Sequence, residues 1–174
     1  MAAKVLERLA IPSIAAFGAI GVAFAATDGF EAAYGDARSS LEYSEASVWA
    51  GKEFERADTD NSGTIDAAEF GALALVTAEL AHLNGFLNVD EKTVALPIEA
   101  PAAIKSSERA RVEAVAARDF YTAAGDDNAM SKHEFIHQRL QKFIDADRNS
   151  NGELNKTELS LFALSHSRIL PTGV

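Results

Sequence analysis

The chain contains an internal repeat, and each copy centres on a 12-residue loop rich in side-chain oxygen atoms. The copies read KEFERADTDNSGTIDAAEFGALA from Lys52 and QKFIDADRNSNGELNKTELSLFA from Gln141. In both, Asp opens the loop, polar side chains follow at positions 3, 5 and 9, Gly stands at position 6, an aliphatic residue at position 8 and Glu at position 12. A repeat with this content constrains the fold more than either copy alone would.

The spacing within each loop suits a calcium ion. Calcium takes six to eight oxygen ligands at about 2.3–2.6 Å, and alternate side chains of a tight loop can reach one such centre. Glycine at position 6 permits the sharp turn, which a β-carbon would make costly. The first loop, 58–69, offers Asp58, Asp60, Ser62, the Thr64 carbonyl, Asp66 and Glu69. The second loop, 147–158, offers Asp147, Asn149, Asn151, the Glu153 carbonyl, Asn155 and Glu158.

Both loops resemble EF-hands. The resemblance implies an all-α fold of helix-loop-helix units, two bound calcium ions, and short β-bridges between loops through the aliphatic residues Ile65 and Leu154. Gly63 and Gly152 occupy the turn positions. The competing interpretation is a pair of Asx-rich turns between helices.

The two loops carry unequal charge. The first loop brings four carboxylates, Asp58, Asp60, Asp66 and Glu69, whereas the second brings two, from Asp147 and Glu158, together with three amide side chains. Because ligand charge tunes calcium affinity, we expect the first site to bind calcium more tightly.

A third, degenerate copy lies at residues 124–134. Aligning Phe120 with Phe54 places Met130 at position 8 and Glu134 at position 12, but the loop is one residue short and lacks the turn glycine. Position 1 is Ala124, which has no side-chain oxygen. The segment is therefore either a degenerate hand or a plain helix–turn–helix.

Chain spacing limits how the loops pair. The 12 residues between Glu134 and Asp147 predict one helix, roughly 18 Å long, that separates the degenerate loop from the second loop. We therefore expect the two intact loops to pair, with Ile65 beside Leu154. Residues 88–99 lack a turn glycine and predict an irregular loop rather than a fourth hand.

The N-terminal segment is apolar. Residues 9–27 contain no charged side chain and follow Lys4, Glu7 and Arg8. This pattern is typical of an export signal, here with cleavage after Ala25, or of a retained membrane anchor. A buried helix of the core is a third interpretation. Both leading interpretations place the remainder outside the cytoplasm.

These observations predict three regions: a signal or transmembrane anchor at 1–26, a linker at 27–44 and an EF-hand domain at 45–170. We expect an exported protein in the periplasm, a lumen or the extracellular space, either soluble or anchored by a single N-terminal transmembrane helix. It associates with a membrane if residues 9–26 are retained.

A short motif offers a different chemistry. His133-Glu134-Phe135-Ile136-His137 matches H-E-x-x-H, in which two histidines on one helix face bind zinc and the glutamate acts as a general base. A zinc metallohydrolase is therefore an alternative. No further histidine follows closely, and Glu134 already occupies the last position of the degenerate hand.

Composition limits the remaining functions. The chain has 26 acidic and 16 basic residues and no cysteine, which excludes disulfides and cysteine zinc sites. The net charge of -10 repels phosphate backbones, so we expect no nucleic-acid partner. We predict a non-enzymatic protein in which calcium is a structural clamp, a buffer or an interaction switch. The alternative is an accessory subunit of a membrane complex, in contact with a protein partner.

Overall fold

Five helices dominate the part of the chain that the computed structural model describes, residues 37–98 and 102–169. The helices are α1 (Tyr43–Ala57), α2 (Ala67–Asn84), α3 (Ser106–Ala124), α4 (Lys132–Ala146) and α5 (Lys156–Ser167). The short strands are β1 (Leu41–Glu42), β2 (Thr64–Ile65), β3 (Phe86–Val89), β4 (Lys92–Ala95), β5 (Met130–Ser131) and β6 (Glu153–Leu154). The expected all-α fold of helix-loop-helix units with short β-bridges is confirmed.

The two repeated loops start their exit helices in the same way. Asp66 caps α2 and Asn155 caps α5, and each side chain accepts hydrogen bonds from two backbone amides of the first turn. The glutamate at loop position 12, Glu69 or Glu158, accepts a hydrogen bond from the backbone amide of the cap. This reciprocal arrangement satisfies amides that a helix start otherwise leaves unpaired. Positions 9 and 12 therefore cap the exit helices.

The strand pairing differs from the expectation. The first loop pairs antiparallel with the degenerate loop, with Ile65 opposite Met130, and the second pairs with β1, with Leu154 opposite Leu41. All four side chains are fully buried. The predicted bridge between Ile65 and Leu154 is wrong. Each aliphatic residue needs an apolar partner strand, and other segments supply one.

Two segments outside the repeat are more ordered than expected. Residues 41–44, placed in the linker by sequence, form β1 and the start of α1, because Leu41 is buried against the second loop. Residues 86–95 form the hairpin β3–β4 instead of an irregular loop. Thr93 of this hairpin also bridges to Ala37.

The degenerate segment joins two helices through a short turn, Gly125–Asp127, followed by β5. Helix α4 then runs without a break to the second loop, as the spacing predicted. The described part of the chain thus contains two intact hands and a third helix–loop–helix unit that shares α4 with the second hand.

Two apolar clusters fill the interior. One lies under the first and degenerate loops and includes Phe54, Phe70, Phe120 and Phe135. The other lies under the second loop, β1 and the hairpin. It contains these large side chains: Trp49, Phe143, Phe162, Leu159 and Val94.

Charged side chains are buried beside these clusters. Glu53 of α1 lies 3.2 Å from the Arg139 guanidinium of α4 and 3.1 Å from the Nε2 atom of His166 in α5. Arg139 also stacks over the rings of Phe70 and Phe135. Glu53 and Arg139 thus connect the first hand to the helix that enters the second.

Burial and ion pairing together set the charge states of Glu53 and His166. Burial opposes ionisation of Glu53, but the attraction of His166 and Arg139 lowers its pKa to about 2. Burial lowers the pKa of His166 to about 4, although Glu53 favours the protonated ring. At pH 7, Glu53 is therefore ionised and His166 is neutral.

The predicted N-terminal signal or anchor, 1–26, lies outside the described residues. Within the described ranges, none of the helices is long and apolar enough to cross a membrane.

We expect the free energy of unfolding to fall as the pH is lowered from about 6.5 to about 4. His166 takes up a proton in the unfolded chain in this window but not in the folded one, so its contribution is complete above the unfolded pKa and is lost as the pH falls through the folded pKa. The substitution His166→Gln removes this titration and should reduce the slope by about 1 kcal/mol per pH unit. Urea unfolding between pH 7 and pH 4 in calcium-free buffer measures the slope.

The matched control is His137→Gln, since His137 is exposed. The loop carboxylates are present in all three proteins, so the comparison isolates His166. The same slope in the His166→Gln variant and in the unaltered protein would contradict the assigned role.

Candidate metal centre

The first loop holds its opening carboxylates with its own backbone. The two oxygens of Asp58 accept hydrogen bonds from the amides of Ser62, at 2.9 Å, and Gly63, at 3.0 Å. Asp60 Oδ1 accepts a second bond from the Ser62 amide at 2.9 Å, and hydrogen bonding by Ser62 lowers the pKa of Asp60. The carboxylates at positions 1 and 3 are therefore fixed to one turn.

The backbone of this turn is left-handed at two positions, and the second loop repeats the pattern. The φ angles are 58° at Asn61 and 84° at Gly63, against 57° at Ser150 and 80° at Gly152. Glycine adopts such angles without the steric cost that a β-carbon adds. The shared backbone explains why both loops carry glycine at position 6.

Three carboxylates converge in the first loop. Asp58, Asp60 and Glu69 each offer an oxygen, and the three oxygens lie within 4.8 Å of one another. Among the residues that the structure describes, none of the ion pairs involves these three side chains. Like charges at this separation repel, so a divalent cation between them is favourable. This donor set of hard oxygens fits calcium.

The rest of the loop supplies further oxygens. The Ser62 hydroxyl donates to the Thr64 carbonyl oxygen at 2.8 Å, which places these two expected ligands side by side. Asp66 uses Oδ1 for capping. Glu69 Oε1 accepts bonds from both the amide and the hydroxyl of Thr59, each at 2.8 Å. Sequence reasoning missed this role of Thr59, which occupies position 2 and is not an expected ligand.

The second loop repeats most of the hydrogen bonds of the first loop at the same positions. Asp147 accepts from the amides of Asn151 and Gly152, and Asn149 accepts from Asn151. Asn155 caps the exit helix, and Glu158 accepts from the amides of its own cap and of position 2. The two loops therefore have one architecture and differ in charge.

The charge difference changes the local electrostatics. Asp147 and Glu158 are the two carboxylate ligands expected in the second loop, and amides take the other side-chain positions. Within the described ranges, the first loop holds the one group of three or more acidic or histidine side chains close enough to share a metal. The individual ligand roles in both loops stay predictions.

The degenerate loop keeps its cap and lacks the carboxylate cluster. Glu134 Oε2 accepts bonds from the amide of Ser131, at 2.8 Å, and from its hydroxyl, at 2.7 Å, and this bonding lowers the pKa of Glu134. His133 and His137 are exposed. The structure thus assigns Glu134 a helix-capping role, and the zinc alternative gains no support from this geometry.

Comparison with known protein families matches the two repeated segments. The family model described as EF hand matches residues 52–74 and 140–163, which contain both loops and parts of their flanking helices. A search of curated proteins found no match to the chain.

We expect the first loop to bind calcium more tightly than the second. Each variant Glu69→Gln and Glu158→Gln removes one position-12 carboxylate, so each reports chiefly on the loop left intact. Calcium affinity should be at least about tenfold higher in the Glu158→Gln variant than in the Glu69→Gln variant, as expected from four carboxylates against two. Calorimetric calcium titration measures both, and equal affinities would contradict the order.

Proposed function

Since the chain carries two segments of the EF-hand calcium-binding family, we propose that it binds calcium at both loops, and that the ion in the first loop is a structural clamp. The proposal extends to location: the protein acts outside the cytoplasm. The observation that carries it is the cluster formed by Asp58, Asp60 and Glu69.

The first step of the argument is electrostatic. The three carboxylates lie in one small volume without a protein cation among the described ion pairs. A bound calcium ion turns this repulsion into attraction. Because the ion binds the folded loop and not the unfolded chain, it stabilises the fold by mass action.

The second step concerns the packing of the first loop against the core. Glu69 precedes Phe70, which is fully buried and contacts the rings of Phe120 and Phe135. Ile65, in the same loop, is fully buried against Met130. Loss of the ion therefore acts on the apolar cluster beneath the first and degenerate loops, which is the behaviour of a clamp.

We expect calcium removal to lower stability. Calcium at 100 times its dissociation constant adds ~2.7 kcal/mol to the free energy of unfolding. Urea unfolding in excess calcium and in excess chelator measures this difference. In the Glu69→Gln variant most of the difference should disappear, whereas the control Glu113→Gln, at an exposed site on α3, should keep it. A stability that does not depend on calcium would refute the clamp.

An interaction switch is the second candidate, because one surface favours it. A cavity of about 640 Å³ lies between α1 and α2 and is lined by apolar residues including Val76 and Leu80. These two side chains are 52% and 53% exposed. Calcium sensors expose such grooves on binding calcium.

A hydrophobic dye separates the two candidates. If calcium works as a clamp, dye fluorescence should be the same or lower with calcium than with chelator. A calcium-dependent rise that is lost in the Glu69→Gln variant would favour the switch.

The proposed location follows from the uncharged run at residues 9–27. Intact mass of the full-length gene product, expressed and recovered from cells, tests it. A mass short of residues 1–25 supports export with cleavage. Retention of these residues together with membrane fractionation supports an anchored accessory subunit, and retention in a cytoplasmic fraction refutes the proposed location.

A further inference from the structure

Three basic side chains are buried together on α4 and at the end of α5. They are Arg139, Lys142 and Arg168, whose side chains are 2%, 12% and 2% exposed. The carboxylates paired with them are Glu53 and Asp119, at 4% and 14%. Buried charges are costly unless paired, so this cluster, with one more basic group than carboxylates, needs an explanation.

Three basic side chains form ion pairs with the same carboxylate, Asp119 on α3. Asp119 lies 3.0 Å from Arg118, 3.2 Å from Arg168 and 3.7 Å from Lys142. The Nε atom of Arg168 is buried without a hydrogen-bond partner among the described residues. Donors therefore outnumber the acceptors that the protein supplies here.

These groups face a cavity of about 580 Å³, which we call the basic cavity. Its charged lining consists of Arg111, Arg118, Lys142 and Arg168 against Asp119 and Asp145. Its apolar wall is formed by Val115, Leu161, Leu164 and Ile169. The volume lies within the range of small-molecule sites, and the combination of an apolar wall with a few convergent charges is typical of them.

The pKa of Lys142 reflects its burial and the basic side chains around it. Burial, and then the proximity of Arg168 and Arg139, lowers the pKa of Lys142 well below its ordinary value, against the opposing effect of Asp119 and Glu53. The Lys142 ammonium also donates to the Ser165 carbonyl oxygen at 3.1 Å. An anion in the cavity would favour the charged form of Lys142.

We propose that the basic cavity binds a small organic anion, with a carboxylate or phosphate head against Arg111, Lys142 and Arg168 and an apolar body along Leu161, Leu164 and Ile169. Guanidinium groups suit both heads because they donate two parallel hydrogen bonds to a planar carboxylate or to phosphate oxygens. This site is separate from the calcium loops and does not depend on the role proposed for calcium.

The test uses the full-length protein at one fixed calcium concentration, so that the occupancy of the loops is the same in every titration. Hexanoate and hexyl phosphate are titrated by calorimetry, and the stronger of the two identifies the head group. Acetate and hexan-1-ol are the matched probes, since the first lacks the apolar body and the second lacks the charge. Both should bind at least about tenfold more weakly than the better hexyl anion.

Variants locate the site. Arg111→Gln should weaken binding of that anion by about tenfold, because a charge-assisted hydrogen bond is lost. Arg109→Gln on the same helix is the control, since Arg109 pairs with Glu79 and does not line the cavity. Circular dichroism checks that both variants are folded.

A second readout is made on the protein with the unaltered site. In the NMR spectrum of labelled lysine side chains, assigned with Lys142→Arg, the pKa of Lys142 should rise when the anion binds. Four results would each overturn the proposal: no saturable binding of either hexyl anion, binding unaffected by Arg111→Gln, equal binding of hexan-1-ol, or an unchanged Lys142 pKa. If Arg111→Gln does not fold, the lysine titration alone decides.

Discussion

Each intact loop carries an aliphatic side chain that has to be buried against a second strand. This requirement determines which segments of the described domain pair with each other. Ile65 obtains its partner from the degenerate loop, and Leu154 obtains one from β1. The degenerate loop thus has a structural role: its Met130 lies opposite Ile65 of the first loop, although among the described residues the degenerate loop has no carboxylate cluster.

The two hands are connected through charge as well as apolar packing. Glu53 on the entry helix of the first hand meets Arg139 and His166, which belong to the two helices of the second. Arg139 also covers the ring of Phe70, the residue after position 12 of the first loop. The contacts between the two hands therefore run through the core rather than through paired loops.

The local features could be predicted from sequence, and the long-range ones could not. The spacing of the loop oxygens, the turn glycines and the single helix α4 each depend on residues that are close in the chain. The local sequence pattern therefore predicts these features. Strand pairing depends on which distant segment is apolar and available, and position 8 specifies only an aliphatic residue. The hairpin does have a sequence signal, the alternation of apolar and polar residues around an acidic turn, with Leu87, Val89, Val94 and Leu96 as the apolar members. Buried Glu53 stands next to Phe54 and four residues after Trp49, a position that indicates an inward face.

Strand β1 has a mechanical consequence. It is the first strand of the described domain, and it pairs directly with the second calcium loop over two residues. Tension applied to the chain from its N-terminal side passes through the contact of Ala37 with Thr93 and then shears β1 from β6. Such a load would uncover Leu154, which lies opposite Leu41 of β1, and would remove the partner strand of the second loop.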